Sequence, residues 1–451
     1  MLAGDSITNA SAGDYTWRYW LWRDLYDRGA KVDFVGSFKD TLDEVTFARG
    51  NKKYADCNFD QDHEARGGGR FYDSSKAKPS YNRPFTSSDP TYPNYPGYSS
   101  WIRGTVAKHK PAVLVAFVGT NDVALPTIKG TDAQIVARAI SLLKTFIKQA
   151  RLGNSGVDIV LTTAPNYTKG TTRFTKYNQA LPGVVSSMST KASRLVLAKM
   201  PSWANESHDG FHPNARGEVA IAAAINGALK KLVPSFPGRP TTLQKPKLGP
   251  RIAATLKAAT AGSGKAKLTW VLPPGADRTI VYSRNVTGNG PWVSAADLVW
   301  TKTRNYRPNV GTATCDTPCT TFTVGGLSGG TKYAFRVRSA KGVAIATDIV
   351  SKTVELTATG SIGKVRSVSA TAGSRSVSVK WPALGGAGTY DVRWRKAGSS
   401  SWSTASVSTP SRKVTGLAAG QKYGFQVRAK SSGLFPTTGA WSSEVSAVPK
   451  G

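Results

Sequence analysis

The sequence predicts a three-layer α/β domain built on a parallel sheet, followed by two smaller all-β sandwiches. Three observations carry that prediction. Strand-length apolar runs alternate with helical patterns as far as Val233; a proline-rich stretch then interrupts both; beyond it, short alternating strands divided by Gly, Ser and Pro occur in two copies.

In the first part, Val32–Val35, Ala112–Val118, Val157–Leu161 and Leu195–Ala198 are apolar runs, as expected of parallel strands covered by helices on both faces. One helix is well marked. Thr131 and Gln134 make a capping box, Ile135, Ala139, Leu142, Leu143 and Phe146 form its buried stripe, and Gly153 ends it. A second helical stretch runs from Ala215 to Leu232. Between Val233 and Pro250 the chain holds Pro234, Pro237, Pro240, Pro246 and Pro250 among basic and polar spacers, a composition that favours an extended segment over a packed one. The expected domains are therefore 1–233, a linker at 234–249, and two β modules at 250–357 and 363–450.

The two modules are an internal repeat. Gly326-Leu327-x-x-Gly330-x-Lys332-Tyr333-x-Phe335-x-Val337-Arg338 recurs as Gly416-Leu417-x-x-Gly420-x-Lys422-Tyr423-x-Phe425-x-Val427-Arg428. Each copy has an upstream Trp (Trp270, Trp381) and a Tyr-bearing strand (Tyr282, Tyr390). Tyr333 and Tyr423 each follow a Leu by six residues, the spacing of a tyrosine corner. These residues resemble the fibronectin type III domain, which implies immunoglobulin-like sandwiches. The first copy has a longer middle, and the excess contains Cys315 and Cys319, close enough to bond in an oxidising compartment. Cys57 is left over, and no further Cys or His near the pair completes a zinc site, so no metal or other cofactor is expected.

The chemistry concentrates in the first part. An ester-cleaving serine enzyme needs a hydroxyl beside a base, an acid that fixes the base's tautomer, and donors aimed at the oxyanion. Ser6 follows Gly4-Asp5 at the end of the first strand, and Asn121 follows Ala112–Val118 within Gly119-Thr120-Asn121-Asp122, so both should project at the carboxyl edge of the sheet. The chain has only 4 histidines. Of these, His212 lies in Asp209-Gly210-Phe211-His212-Pro213-Asn214, where a turn can bring the Asp209 carboxylate onto one ring nitrogen while the other faces Ser6.

Gly4-Asp5-Ser6-Ile7-Thr8, Gly119-Thr120-Asn121-Asp122 and Asp209-Gly210-x-His212-Pro213 together resemble the signature blocks of the SGNH, or GDSL-type, hydrolases. The resemblance implies a flavodoxin-like three-layer fold, a Ser6/His212/Asp209 triad, and an oxyanion hole shared by the Ser6 backbone N–H, Gly68 and the Asn121 amide. Gly68 is chosen because Asp62-His63-Glu64-Ala65-Arg66-Gly67-Gly68-Gly69 is similar to the family's Asp-x-His-Glu-Gly-x-x-Gly-Trp segment. Gly67 and Gly69 remain alternatives, and Ala65 and Gly69 stand where the family has Gly and Trp. With Lys31–Ser37 ahead of it, that segment is most similar to the acetyl xylan esterases of carbohydrate esterase family three, which implies an O-acetylated polysaccharide as substrate. Tyr92, Tyr95 and Tyr98 in the proline-rich loop 79–100 either stack on sugar rings or serve as a rigid cover. Family members have a full strand before the Gly-Asp-Ser block, whereas three residues precede Gly4 here; either the chain is truncated or the first strand is short.

The net charge is +33, of which residues 1–235 contribute +10 and residues 236–451 contribute +23. Such a basic half suits an anionic wall or glycan surface, and nucleic acid is a lesser expectation because the charges alternate along strands instead of forming an arm. On this reading the modules tether the enzyme, and deleting 236–451 leaves turnover of a small soluble ester unchanged. No apolar run approaches the roughly 20 residues of a membrane span. No signal peptide precedes Gly4; an extracellular setting is expected from the domain composition alone. Two other functions share these features: a lipase or lysophospholipase with the same triad, and a surface or tail-fibre-like adhesion protein whose hydrolase domain is vestigial.

Overall fold

The computed structural model describes residues 1–451 except 43–52, 72–97, 125–129, 166–170, 202–206, 261–263, 301–312, 316–319, 360–361 and 432–437. The first domain holds a five-stranded parallel sheet of β1 (Leu2–Gly4), β2 (Glu64–Ala65), β3 (Val113–Phe117), β4 (Asp158–Thr162) and β5 (Leu195–Ala198), in the order β2-β1-β3-β4-β5. This is the flavodoxin-like order. Its direction reverses between β1 and β3, so a crevice opens outside the carboxyl ends of those two strands. The helices are α1 (Ser6–Asn9), α2 (Trp17–Asp27), α3 (Tyr98–His109), α4 (Thr120–Ala124), α5 (Asp132–Gly153), α6 (Thr171–Met188) and α7 (Ala215–Leu232). Helix α2 packs on α7, and α5 packs between α3 and α6.

Local signals set these helices where the sequence places them. Thr131 caps α5 with the full capping box, and Ile135, Ala139, Leu143 and Phe146 are buried, with Leu142 packed at the edge of the core. Val32–Val35, by contrast, forms no strand. The Asp60 carboxylate accepts the Phe34 N–H at 2.6 Å and the Glu64 carboxylate accepts the Ser37 N–H at 2.9 Å, so side chains take the donors that a ladder would have used. The second strand of the sheet is instead the two-residue β2. The proline-rich stretch is also seated rather than free: Phe236 packs against the hydrolase core, and Arg28 donates to the Gly238 carbonyl.

The first β module comprises β6 (Thr255–Thr260), β7 (Ala266–Val271), β8 (Arg278–Asn285), β9 (Val293–Trp300), β10 (Ala313–Cys315), β11 (Thr321–Val324), β12 (Lys332–Lys341), β13 (Ala344–Ile345) and β14 (Val354–Thr357). Sheet β11-β7-β6 faces β10-β9-β8-β12-β13, with β14 also on β12, across a core around Trp270, Leu327, Tyr333 and Phe335. The second comprises β15 (Ser369–Gly373), β16 (Ser376–Lys380), β17 (Ala387–Lys396), β18 (Ser403–Val407), β19 (Ser411–Thr415), β20 (Tyr423–Ser431) and β21 (Val445–Ala447), as sheets β15-β16-β19 and β18-β17-β20-β21 around Trp381, Leu417 and Phe425. Both tyrosine corners form. The Tyr333 hydroxyl accepts the Ser328 N–H at 3.0 Å, and the Tyr423 hydroxyl accepts the Ala418 N–H at 3.2 Å. The strand pairing corrects one equivalence. Val281 faces Val337 as Val392 faces Val427, so Tyr390 corresponds to Thr279, and Tyr282 lies further along its strand.

Candidate active site

The chain leaves β1 at Gly4 and turns at Asp5, which caps α1 by accepting the Ile7 N–H at 2.9 Å and so makes Ser6 the first helical residue. Asp5 is fully buried, and burial pushes its carboxyl up to about 7, against the Ile7 hydrogen bond and the pull of His212. Ser6 is 9% exposed, with Oγ 2.9 Å from His212 Nε2.

His212 sits on a loop, residues 207–213, that is closed on itself by a bridge between Ser207 and Pro213. The two oxygens of Asp209 have separate tasks. Oδ1 accepts the N–H groups of Phe211 at 2.8 Å and His212 at 2.7 Å, which fixes the turn; Oδ2 lies 2.8 Å from His212 Nδ1. An Nδ1–H donated to that carboxylate leaves Nε2 as the basic nitrogen, facing the Ser6 hydroxyl. Asn214 then caps α7 through the N–H groups of Arg216 and Gly217, so the loop is anchored where the helix begins. His208 stacks beside His212, and its Nδ1 lies 3.1 Å from the Pro213 carbonyl oxygen.

Asn121 is buried in α4, and its Nδ2 donates to the Gly69 carbonyl at 3.1 Å and to Asp5 Oδ2 at 3.4 Å. Thus the ends of β1, β2 and β3 are tied together at the crevice. Gly68 is exposed, at φ +77, three residues past the end of β2. Asp122 holds the following residues by accepting the Phe71 N–H at 3.0 Å. Tyr92, Tyr95 and Cys319 lie outside the described residues; Tyr98 begins α3 and Cys315 ends β10, with their side chains outside the description. Cys57 is an exposed free thiol.

A small cleft opens at Ser6 and His212 and is lined also by Ile7, Ala10, Ser11, His208, Pro213, Glu218 and Lys341. Sequence reasoning missed four residues here. Asp5 carries a readable signal, an acidic residue just ahead of a helix start. Asp122 and His208 act through backbone groups that no spacing announces, and Lys341 comes from the first β module. The ligand atoms of His208, Asp209 and His212 lie within 4.8 Å of one another, close enough to hold a metal ion. Among the described contacts, His212 lies between Asp209 Oδ2 and Ser6 Oγ, and His208 sets Nδ1 at the Pro213 carbonyl and Nε2 4.0 Å from Asp209 Oδ2.

The first domain thus sets a hydroxyl, an imidazole and a carboxylate in series at the carboxyl edge of a parallel sheet, and two β-sandwich modules follow it. Residues 1–225 match the model of the GDSL-like lipase/acylhydrolases and residues 363–447 that of the fibronectin type III domain. The first domain belongs to the GDSL-like lipase/acylhydrolase family, and the chain is a carboxylic ester hydrolase. Among solved structures it is similar to a carbohydrate esterase family 3 protein from Talaromyces cellulolyticus (25% identity, 52% of this chain and 98% of that one, TM-score 0.39). It is also similar to a family 3 carbohydrate esterase from Clostridium thermocellum (20% identity, 52% and 96%, TM-score 0.37) and to a two-domain fibronectin type III segment of chicken tenascin (18% identity, 44% and 97%, TM-score 0.21). No curated protein matches the chain.

Proposed function

We propose that this chain is an extracellular serine esterase that removes O-acetyl groups from a polysaccharide, with Ser6 as nucleophile, His212 as general base and Asp209 as the group that orients it. The observation that carries the reading is the unbroken series Ser6 Oγ to His212 Nε2 at 2.9 Å and His212 Nδ1 to Asp209 Oδ2 at 2.8 Å. Ser6 Oγ attacks the ester carbonyl as its proton passes to His212 Nε2. The oxyanion that forms is held by the Ser6 N–H, the Gly68 N–H and the Asn121 amide, which gives up its long 3.4 Å contact with Asp5 to do so. Collapse expels the sugar oxygen, which takes the proton from His212 to leave as a free hydroxyl, and acetyl-Ser6 remains. Water, activated in turn by His212, releases acetate.

The acetyl preference is supported by the cleft. Its described lining is short and mixed, with Ala10, Ser11, Glu218 and Lys341 near the reacting pair, whereas a long acyl chain requires an extended apolar channel. The resemblance of residues 62–69 to the acetyl xylan esterases supports the polysaccharide as alcohol. The basic half suits an anionic wall or glycan as the surface near which the enzyme works. Replacing Ser6 by Ala should lower kcat on 4-nitrophenyl acetate by roughly four orders of magnitude in a folded protein. Retained turnover would remove Ser6 from the mechanism. Acetate should be released from acetylated xylan, and rates should fall from acetyl to octanoyl esters; faster octanoyl turnover would select the lipase reading.

A further inference from the structure

The hairpin between β12 and β13 of the first β module ends at the candidate active site. Its tip is Lys341-Gly342-Val343. The Val343 N–H donates to the His208 carbonyl at 3.0 Å, and His208 in turn donates its N–H to the His212 carbonyl at 3.1 Å. Gly342 has φ +53, and a Cβ built there would stand 2.0 Å from the His208 oxygen, so the two backbones touch with no room for a side chain. The hairpin is itself braced: the Asp277 carboxylate accepts the Gly342 N–H at 2.8 Å, and Arg278 donates to the Gly342 carbonyl at 3.3 Å.

Lys341 makes the second contact. It is 4% exposed, its Nζ lies 2.7 Å from Asp14 Oδ2 in the loop after α1, and it lines the same cleft as Ser6 and His212. A lysine this deeply buried needs a charged partner and Asp14 supplies one, so the pair fixes the hairpin to the Ser6 side of the site while Gly342 and Val343 fix it to the His212 side. A third contact, Gly13 and Ala12 against Pro274 and Gly275, sets the module against the same loop after α1.

We propose that the first β module is part of the catalytic unit, its hairpin holding the Ser6 loop and the Asp209–His212 loop in register, with Lys341 and Gly342 as positioning residues. The proposal rests on the serine-esterase reading above. Neither residue touches the reacting atoms; they act through Asp14 and His208. Misplacing the imidazole should lower kcat with little change in KM and displace the pH midpoint of kcat, because the Asp209–His212 hydrogen bond sets the basicity of Nε2.

The test uses the full chain and four variants. Lys341→Met and Gly342→Ala should each lower kcat on 4-nitrophenyl acetate roughly ten- to a hundredfold and displace the pH midpoint. Gly330→Ala imposes a similar left-handed strain in the same module, at φ +74 with nothing within 4 Å of its Cβ, and should leave kcat and the pH profile unchanged. Ser6→Ala should abolish turnover. If Lys341→Met, folded by thermal unfolding, keeps the wild-type kcat and pH profile while Ser6→Ala is dead, the hairpin proposal is overturned and the esterase reading stands. If Ser6→Ala stays active, the esterase reading itself has failed. Where Gly342→Ala does not fold, Lys341→Met alone decides.

Discussion

The two fibronectin modules are copies of one pattern put to different uses. In the first, the end of β12 carries Lys341 and Gly342 into the hydrolase; in the second, the described polar contacts are made within the module. Their outer strand faces differ as well. The arginine of the repeated Val-Arg pair faces Ile280 in one copy and Asp391 in the other. Arg338 rests over the Tyr282 ring at 5.3 Å, whereas Arg428 is held by the Asp391 carboxylate at 3.0 Å and lies over Trp441 at 4.4 Å. A repeat therefore conserves its core and corner tyrosine while its loops and strand faces are free to take on separate work.

The largest difference should appear on truncation. Removing residues 359–451 should leave turnover of 4-nitrophenyl acetate within about twofold, whereas removing 236–451 should lower kcat roughly ten- to a hundredfold, because the hairpin leaves with the first module. This reverses the expectation drawn from charge alone, that the whole basic half is a tether. Equal activity of the two truncations would erase the distinction. Removing 359–451 should also weaken retention on an anionic polysaccharide, and in the full chain that retention should weaken as the Debye length falls from about 10 Å at 0.1 M salt to about 3 Å at 1 M.

Acid should separate the modules next. Burial opposes ionisation of Asp391, but hydrogen bonds from Ser406, Lys430 and Arg428 outweigh it and hold the carboxyl below its ordinary value of 3.8. A depressed acid contributes stability that is present above the unfolded value and lost as pH falls through the folded one. The second module should therefore lose thermal stability below about pH 4 through Asp391, whereas in the first, which has Ile280 at that place, the acid loss runs through Asp348, paired with Arg251 and likewise held below its ordinary value. Asp391→Asn should cost about 2 kcal/mol at neutral pH and flatten that slope. An unchanged acid slope in the variant would mean that another carboxylate governs it.

The smallest contrast is at the corners. Tyr333→Phe and Tyr423→Phe each remove one hydrogen bond, worth about 1 kcal/mol. The first should cost more, since Tyr333 is 1% exposed and Tyr423 is half-buried. Calorimetry of the two variants measures it, and equal losses would remove the difference.

What was legible in the sequence was what is local or repeated. The capping box of α5, the span of α7, both sandwiches and their tyrosine corners rest on neighbours a few residues apart or on a pattern seen twice. The approach of Ser6, Asp209 and His212 could also be foreseen, because β1 and the turn before α7 deliver them to one edge of a parallel sheet. Val32–Val35 misled because its apolar run is indistinguishable from a strand until Asp60 and Glu64 are seen to claim its flanking amides. Glu64–Ala65 is too short for any period to show. Lys341 reads as one more solvated lysine, and only tertiary docking turns it into a buried ion pair.

Gly13 and Gly275 meet across the boundary between the hydrolase and the first module. Each has positive φ, and a Cβ on either would fall within 2.4 Å of the other domain's backbone oxygen. Domain shuffling usually assumes that a module can be exchanged wherever a linker allows. Here a transplanted sandwich would have to bring its own glycine to the corner matching Gly275, and a second one at its hairpin tip, before the catalytic domain could accept it. The two halves are thus heritable as one unit, and chimaeras built by cutting at the proline-rich segment should fail at these two points of backbone contact rather than at the cut itself.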